Sequence, residues 1–153
     1  MSKSILFWNV QGATLKKFRR AFATILNNYK SGIVVILEPR ISGCKADDFI
    51  MNSGFARSHR IEATGFSGGI WILWQEAFVI KVVLNHKQFV HMQIVENNNF
   101  VSWFTAVYAS QNPVLRRHLW VHLNHIAKSV QGPWIVVGDF NAIMYASERK
   151  GGS

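Results

Sequence analysis

A chain of 153 residues, 49% hydrophobic and only 16% charged, is long enough to bury about 68–70% of its unfolded surface, which excludes a disordered polymer. Seventeen Lys and Arg against eight Asp and Glu leave a formal charge of +9, so a polyanionic partner is expected, nucleic acid ahead of a membrane surface. The single cysteine, Cys44, excludes an internal disulfide and a cysteine zinc cluster and fits a reducing, intracellular compartment, the nucleus included.

In chain order, residues 4–9 read as a short buried strand. From Ala13 to Asn28 the residues Leu15, Phe18, Phe22, Ile25 and Leu26 recur at helical spacing, and Tyr29 continues the stripe; Lys16, Lys17, Arg19 and Arg20 lie off it. Gly32 opens the β-branched run IVVIL, which ends at Glu38 and is stopped by Pro39. A short helix is predicted over 44–52. Strand-like segments follow near 57–63, 69–74, 78–84, 89–95 and 100–108, with the NNN of 97–99 as a hairpin tip. Strands in succession without intervening helices predict antiparallel pairing. A helix over about 113–130 would turn Leu115, Leu119, Leu123, Ile126 and Val130 inward, and GlyPro at 132–133 separates it from the strand WIVVG. This order does not suit a doubly wound nucleotide-binding sheet; two layered sheets with helices outside accommodate it.

No apolar run approaches the ~20 residues of a membrane span, and no small-residue cleavage site follows the apolar stretch in residues 1–9, so neither a membrane partner nor a signal peptide is expected. The sequence stops at ERKGGS soon after a strand end, and reads as a chain cut within a domain.

Glu38 and Asp139 each end an apolar strand and precede a breaker or turn. Carboxylates so placed suit a hard cation such as Mg²⁺ (or Mn²⁺), which takes one or two of them and keeps several waters. Asn9 and Asn141 add amides able to orient a phosphate or a water. From spacing alone, the more ordinary reading of each is a turn former or a partner for a nearby Arg. His118, His122 and His125 fall near one helix face, but no HExxH pattern or fourth ligand accompanies them, and an exposed, partly stacked surface is the plainer reading. The glycine pairs match neither phosphate-loop pattern, and Ser67 and Ser110 have no evident His–Asp partners.

Together WNVQG at 8–12, ILEPR at 36–40, SGGIWILW at 67–74, TAVYAS at 105–110, RRHLW at 116–120 and GPWIVVGDFNAI at 132–143 resemble, in order, the endonuclease/exonuclease/phosphatase family. Within it they are most similar to the endonuclease domains of plant non-LTR (LINE-type) retrotransposons. The resemblance implies an α+β, four-layer αββα sandwich, DNase I-like, and Mg²⁺-dependent phosphodiester cleavage of DNA with no small-molecule cofactor. By motif Asn9 helps bind metal or phosphate, Glu38 is the main metal carboxylate and Tyr108 contacts the scissile phosphate. Asp139 orients or activates the attacking water, with Asn141 holding the phosphate. Arg116, Arg117 and the cluster Lys16, Lys17, Arg20 would meet backbone phosphates, solvated helix faces being the default reading.

Two departures stand out. Gln11 occupies a position where some relatives carry an acid. The family also ends with a Ser-Asp-His motif whose His pairs with the phosphate, whereas here every His precedes Asp139. Residues 1–153 are therefore expected to form the N-terminal portion of such a domain, lacking final strands, with an exposed apolar edge and little or no turnover. The alternative expectation is a non-catalytic, basic nucleic-acid-binding remnant.

Overall fold

The computed structural model describes residues 5–10, 15–28, 32–62 and 68–141. β1 (Ile5–Asn9) and β2 (Ile33–Leu37) pair in parallel, with α1 (Leu15–Asn28) between them in the chain. After α2 (Gly43–Met51), β3 (Arg57–Ile61) and β4 (Ile70–Trp74) run antiparallel to each other, and β4 also pairs antiparallel with β2. The first sheet thus has the order β1-β2-β4-β3.

The second sheet begins where the first ends. β5 (Phe78–His86), β6 (Phe89–Glu96) and β7 (Asn99–Tyr108) form an antiparallel meander. Asn97 and Asn98, at φ 50° and 63°, make its β6–β7 turn, because a two-residue hairpin loop needs two left-handed residues and Asn tolerates that region. β8 (Trp134–Asp139) then pairs in parallel with β7, after α3 (Pro113–Ser129). Helix α3 starts cleanly: the Asn112 side chain accepts from the Val114 N–H at 2.9 Å and Pro113 fills a position that needs no donor.

Strand alternation builds three apolar layers. Ile33, Val35 and Leu37 of β2 and Ile70 and Ile72 of β4 face Val90, Met92, Phe104 and Ala106 of the second sheet. Their neighbours Val34, Ile36, Trp71 and Leu73 point outward under Phe18 and Phe22 of α1 and Ala46 of α2. On the far side Leu119, Leu123 and Ile126 of α3 cover Phe89, Val107 and Ala109. The result is the four-layer αββα sandwich expected.

Two residues of the predicted helical stripes differ. Leu15 and Leu115 are exposed, at 43% and 48%, because each stands in the first turn of its helix on the rim of a groove. Among the described residues β8 is the outer strand of its sheet, and Ile135 and Val136 on it are exposed. Tyr29, Gln11, Ser67 and the ERKGGS segment lie outside the described residues.

Candidate active site

Parallel pairing sets strand ends side by side. Asn9 ends β1 opposite Leu37, whose successor is Glu38; Tyr108 ends β7 opposite Asp139, the last residue of β8. The two sheets meet at these ends, since Asn9 Nδ2 donates to Asp139 Oδ2 at 3.0 Å across 130 residues of chain.

Gly138 makes the β7–β8 approach possible. A Cβ there would lie 2.1 Å from the Val107 carbonyl oxygen and 2.7 Å from the Val107 Cβ, so no other residue fits without moving backbone. Beyond it the Asn141 N–H donates to Asp139 Oδ1 at 3.0 Å, and Asn141 Nδ2 donates to the Ala109 carbonyl at 2.7 Å. The Ala109 N–H in turn donates to the Asp139 carbonyl at 2.8 Å. Asn141 adopts φ 46°, which its short amide side chain tolerates. Each Asp139 oxygen therefore holds one donor and keeps a lone pair free for a water or a substrate hydroxyl.

Glu38 is held differently. It is 4% exposed, and both it and Arg40 have positive φ, 55° and 57°, around Pro39. Such backbone costs about 1–3 kcal/mol per residue and persists only where its surroundings enforce it. Here the Glu38 N–H donates to the Gly69 carbonyl at 2.9 Å, while Arg40 Nε and Nη2 donate to Glu38 Oε1 at 3.0 and 2.6 Å. Among the described residues Glu38 Oε2 is buried with no hydrogen-bond partner of good geometry. An orphaned carboxylate oxygen is costly to keep, and a hard cation would satisfy it. Among the described residues no group of three or more His, Cys, Asp or Glu is placed to hold a metal, so a cation at Oε2 would keep several waters, the habit of Mg²⁺.

Tyr108 stands between the two carboxylates. Burial, then the negative charge of Glu38 and its side-chain interaction with the phenol, then the charge of Asp139, push its phenol well above the usual value. The hydroxyl stays protonated throughout the working range and acts as a neutral donor. With Glu38 and Arg40, Tyr108 lines an open cleft of about 630 Å³.

Sequence reasoning missed Gln88, which shapes this cleft. It is 6% exposed at the β5–β6 turn. Its carbonyl accepts from the Tyr108 N–H at 2.8 Å, its Oε1 accepts from the Ser110 N–H at 2.7 Å, and its Nε2 donates to the Leu115 carbonyl at 2.8 Å. The only trace in the sequence is a polar residue directly before a strand of apolar character.

Of the predicted residues, then, Asn9, Glu38, Tyr108, Asp139 and Asn141 converge. The basic ones do not join them. Lys16, Lys17 and Arg20 are exposed on α1 and, like Arg117, are not among the residues lining the cleft. Arg116 spends Nη1 on the Ser110 and Gln111 carbonyls, at 3.0 and 2.8 Å, and so braces the loop after Tyr108. His118 lines the cleft, whereas His122 packs against the rings of His86 and Phe89.

Comparison with known proteins places the fold. The endonuclease/exonuclease/phosphatase family profile matches residues 6–151. The structure is similar to the endonuclease domain of TRAS1, a telomere-specific non-LTR retrotransposon, at 16% identity and a TM-score of 0.63, covering 92% of this chain and 61% of that one. An AP endonuclease from Archaeoglobus fulgidus is similar at 14% identity and TM-score 0.62, over 92% of this chain and 58% of that one. So is the 3' phosphatase NExo from Neisseria bound to a product DNA hairpin, at 13% identity and TM-score 0.58, over 95% and 60%. The chain thus spans less than two thirds of the length of each. No curated protein matches it in sequence.

Proposed function

The chain belongs to the endonuclease/exonuclease/phosphatase family, and on that premise we propose that it carries the metal and phosphate side of a Mg²⁺- or Mn²⁺-dependent endonuclease acting on DNA, of retrotransposon origin. The observation that carries this reading is Glu38 Oε2, buried and partnerless beside Tyr108 at strand ends shared with Asn9, Asp139 and Asn141. A cation bound through Glu38 would polarise a phosphoryl oxygen and offset its developing charge. The chain's own groups supply the rest. The Tyr108 hydroxyl donates to a phosphate oxygen. Asp139, fixed by Asn9 and Asn141, accepts from the attacking water as its oxygen bonds to phosphorus and the bond to the leaving oxygen breaks. The net charge of +9 and the DNA-acting proteins of similar fold support a DNA substrate.

No Ser-Asp-His tripeptide occurs among the 153 residues, so slow turnover is expected of this chain by itself. Titration with Mn²⁺ followed by calorimetry tests the reading. One site is expected, weakened at least ~10-fold by Glu38→Gln; no binding, or binding indifferent to that change, overturns it. The excess of positive charge favours a second reading, a non-catalytic DNA binder, which predicts salt-sensitive binding that survives Glu38→Ala and Asp139→Ala together.

A further inference from the structure

We propose that His86, Lys87 and His118 form a second phosphate subsite in the cleft, one that holds a flanking phosphodiester of the DNA strand whose scissile group lies at Glu38, Tyr108 and Asp139. The inference rests on the active-site reading above and extends it from the reacting phosphate to its neighbour.

The three residues come from two parts of the second sheet's side of the cleft, the β5–β6 turn and α3. His86 ends β5, Lys87 follows it in the turn, and His118 stands in the second turn of α3; all three line the cavity that Glu38 and Tyr108 line. This wall is built rather than draped. Gln88 fastens the turn to the loop after Tyr108 and to α3 through the three hydrogen bonds described. His86 stacks on Phe89 with ring centroids 5.0 Å apart, and its ring lies 5.0 Å from that of His122. The Gln88 N–H donates to His86 Nδ1 at 3.1 Å, which leaves the proton of the neutral imidazole on Nε2 as a donor.

Charge points the same way. The carboxylates facing the cleft are answered within the protein: Glu38 by Arg40, and Glu62 by Arg60 and the Gly43 N–H. Two of the cations are not, among the described residues. Lys87 and His118 make no hydrogen bond or ion pair with any described residue, and Arg116 on α3 is turned to carbonyls. Burial first, then the charges of His122, His118 and Lys87, hold the His86 imidazole below its ordinary value. An anion seated among these groups would relieve that repulsion. The geometry fits a phosphate, which takes several donors at once, and the cleft continues from it to Tyr108.

The test is fluorescence anisotropy of a labelled DNA duplex, in EDTA, over a range of salt at one pH. Each phosphate contact contributes about −0.9 to the slope of log affinity against log salt. Lys87→Ala should reduce the slope by about one, and His118→Ala should weaken binding at every salt concentration. Both residues are exposed, and unchanged thermal unfolding confirms that the variants fold. A wild-type slope in Lys87→Ala together with wild-type affinity in His118→Ala would overturn the subsite while leaving the Mn²⁺ titration to judge the active site separately. Absence of salt-dependent binding by the unmodified chain would overturn the subsite too.

Discussion

The two sheets each deliver one carboxylate to the same end of the sandwich, and they hold it by different means. In the first sheet β2 and β4 are buried along their whole length, and Glu38 follows directly from that core. In the second, β8 is half-exposed, and Asp139 at its end is fixed by hydrogen bonds from Asn9 and Asn141. The strand before Glu38 is buried throughout, whereas the strand before Asp139 is open on part of its length. A hydrophobic substitution should therefore be felt more on β2 and β4 than on β8, while β8 should be sensitive where its backbone touches β7.

The largest effect is expected from Trp71→Ala. Trp71 is fully buried among Phe18, Phe22 and Phe49, and truncation should cost about 3–5 kcal/mol in denaturant unfolding. Gly138→Ala comes next, at about 1–3 kcal/mol, since its Cβ would meet the Val107 carbonyl; a neutral result would mean that β8 is not held close to β7.

A smaller effect concerns His91, which is buried, shares a hydrogen bond of 2.8 Å with Thr105 Oγ1 and stacks on Trp103. Burial lowers its pKa, so the folded state prefers the neutral ring while the unfolded chain takes up a proton from about pH 6.5 downward. Stability is then complete above pH 6.5 and is lost as pH falls through the folded value. Thermal unfolding at pH 7.5 and pH 5 should show the drop, and His91→Gln should flatten it in part, the remainder belonging to His86. The smallest change is Ile135→Thr on the exposed part of β8, within about 0.5 kcal/mol. If it cost as much as Trp71→Ala, the contrast between the sheets would fail.

Much of this architecture was legible in the residues because hydrophobic period and breakers are local signals. IVVIL before Glu-Pro read as a buried strand, and the Asn run at 97–99 as a hairpin tip, as found. The division of the five successive strands was not legible. Alternating apolar residues mark a strand but not its partner, and β4 pairs back with β2 instead of onward with β5. Strand ends and motif resemblance singled out Asn9, Glu38, Tyr108, Asp139 and Asn141, yet the contact between Asn9 and Asp139 depends on how two sheets stack, which no local pattern encodes. Gln88 escaped for the same reason, because its three partners lie 20 to 27 residues away in the chain.

That glutamine has a consequence for how the cleft responds to its surroundings. Neither a main-chain carbonyl nor an amide side chain titrates or depends on counterions, so the bonds Gln88 shares with Tyr108, through its carbonyl, and with Ser110 and Leu115, through its side chain, hold at any salt that would strip a polyanion from Lys87. Acid that charges the His86 imidazole leaves the same three bonds in place. On the proposed subsite, occupancy of the groove and the shape of the groove are thereby uncoupled: a bound strand would come and go by electrostatics, across a wall that electrostatics does not hold up.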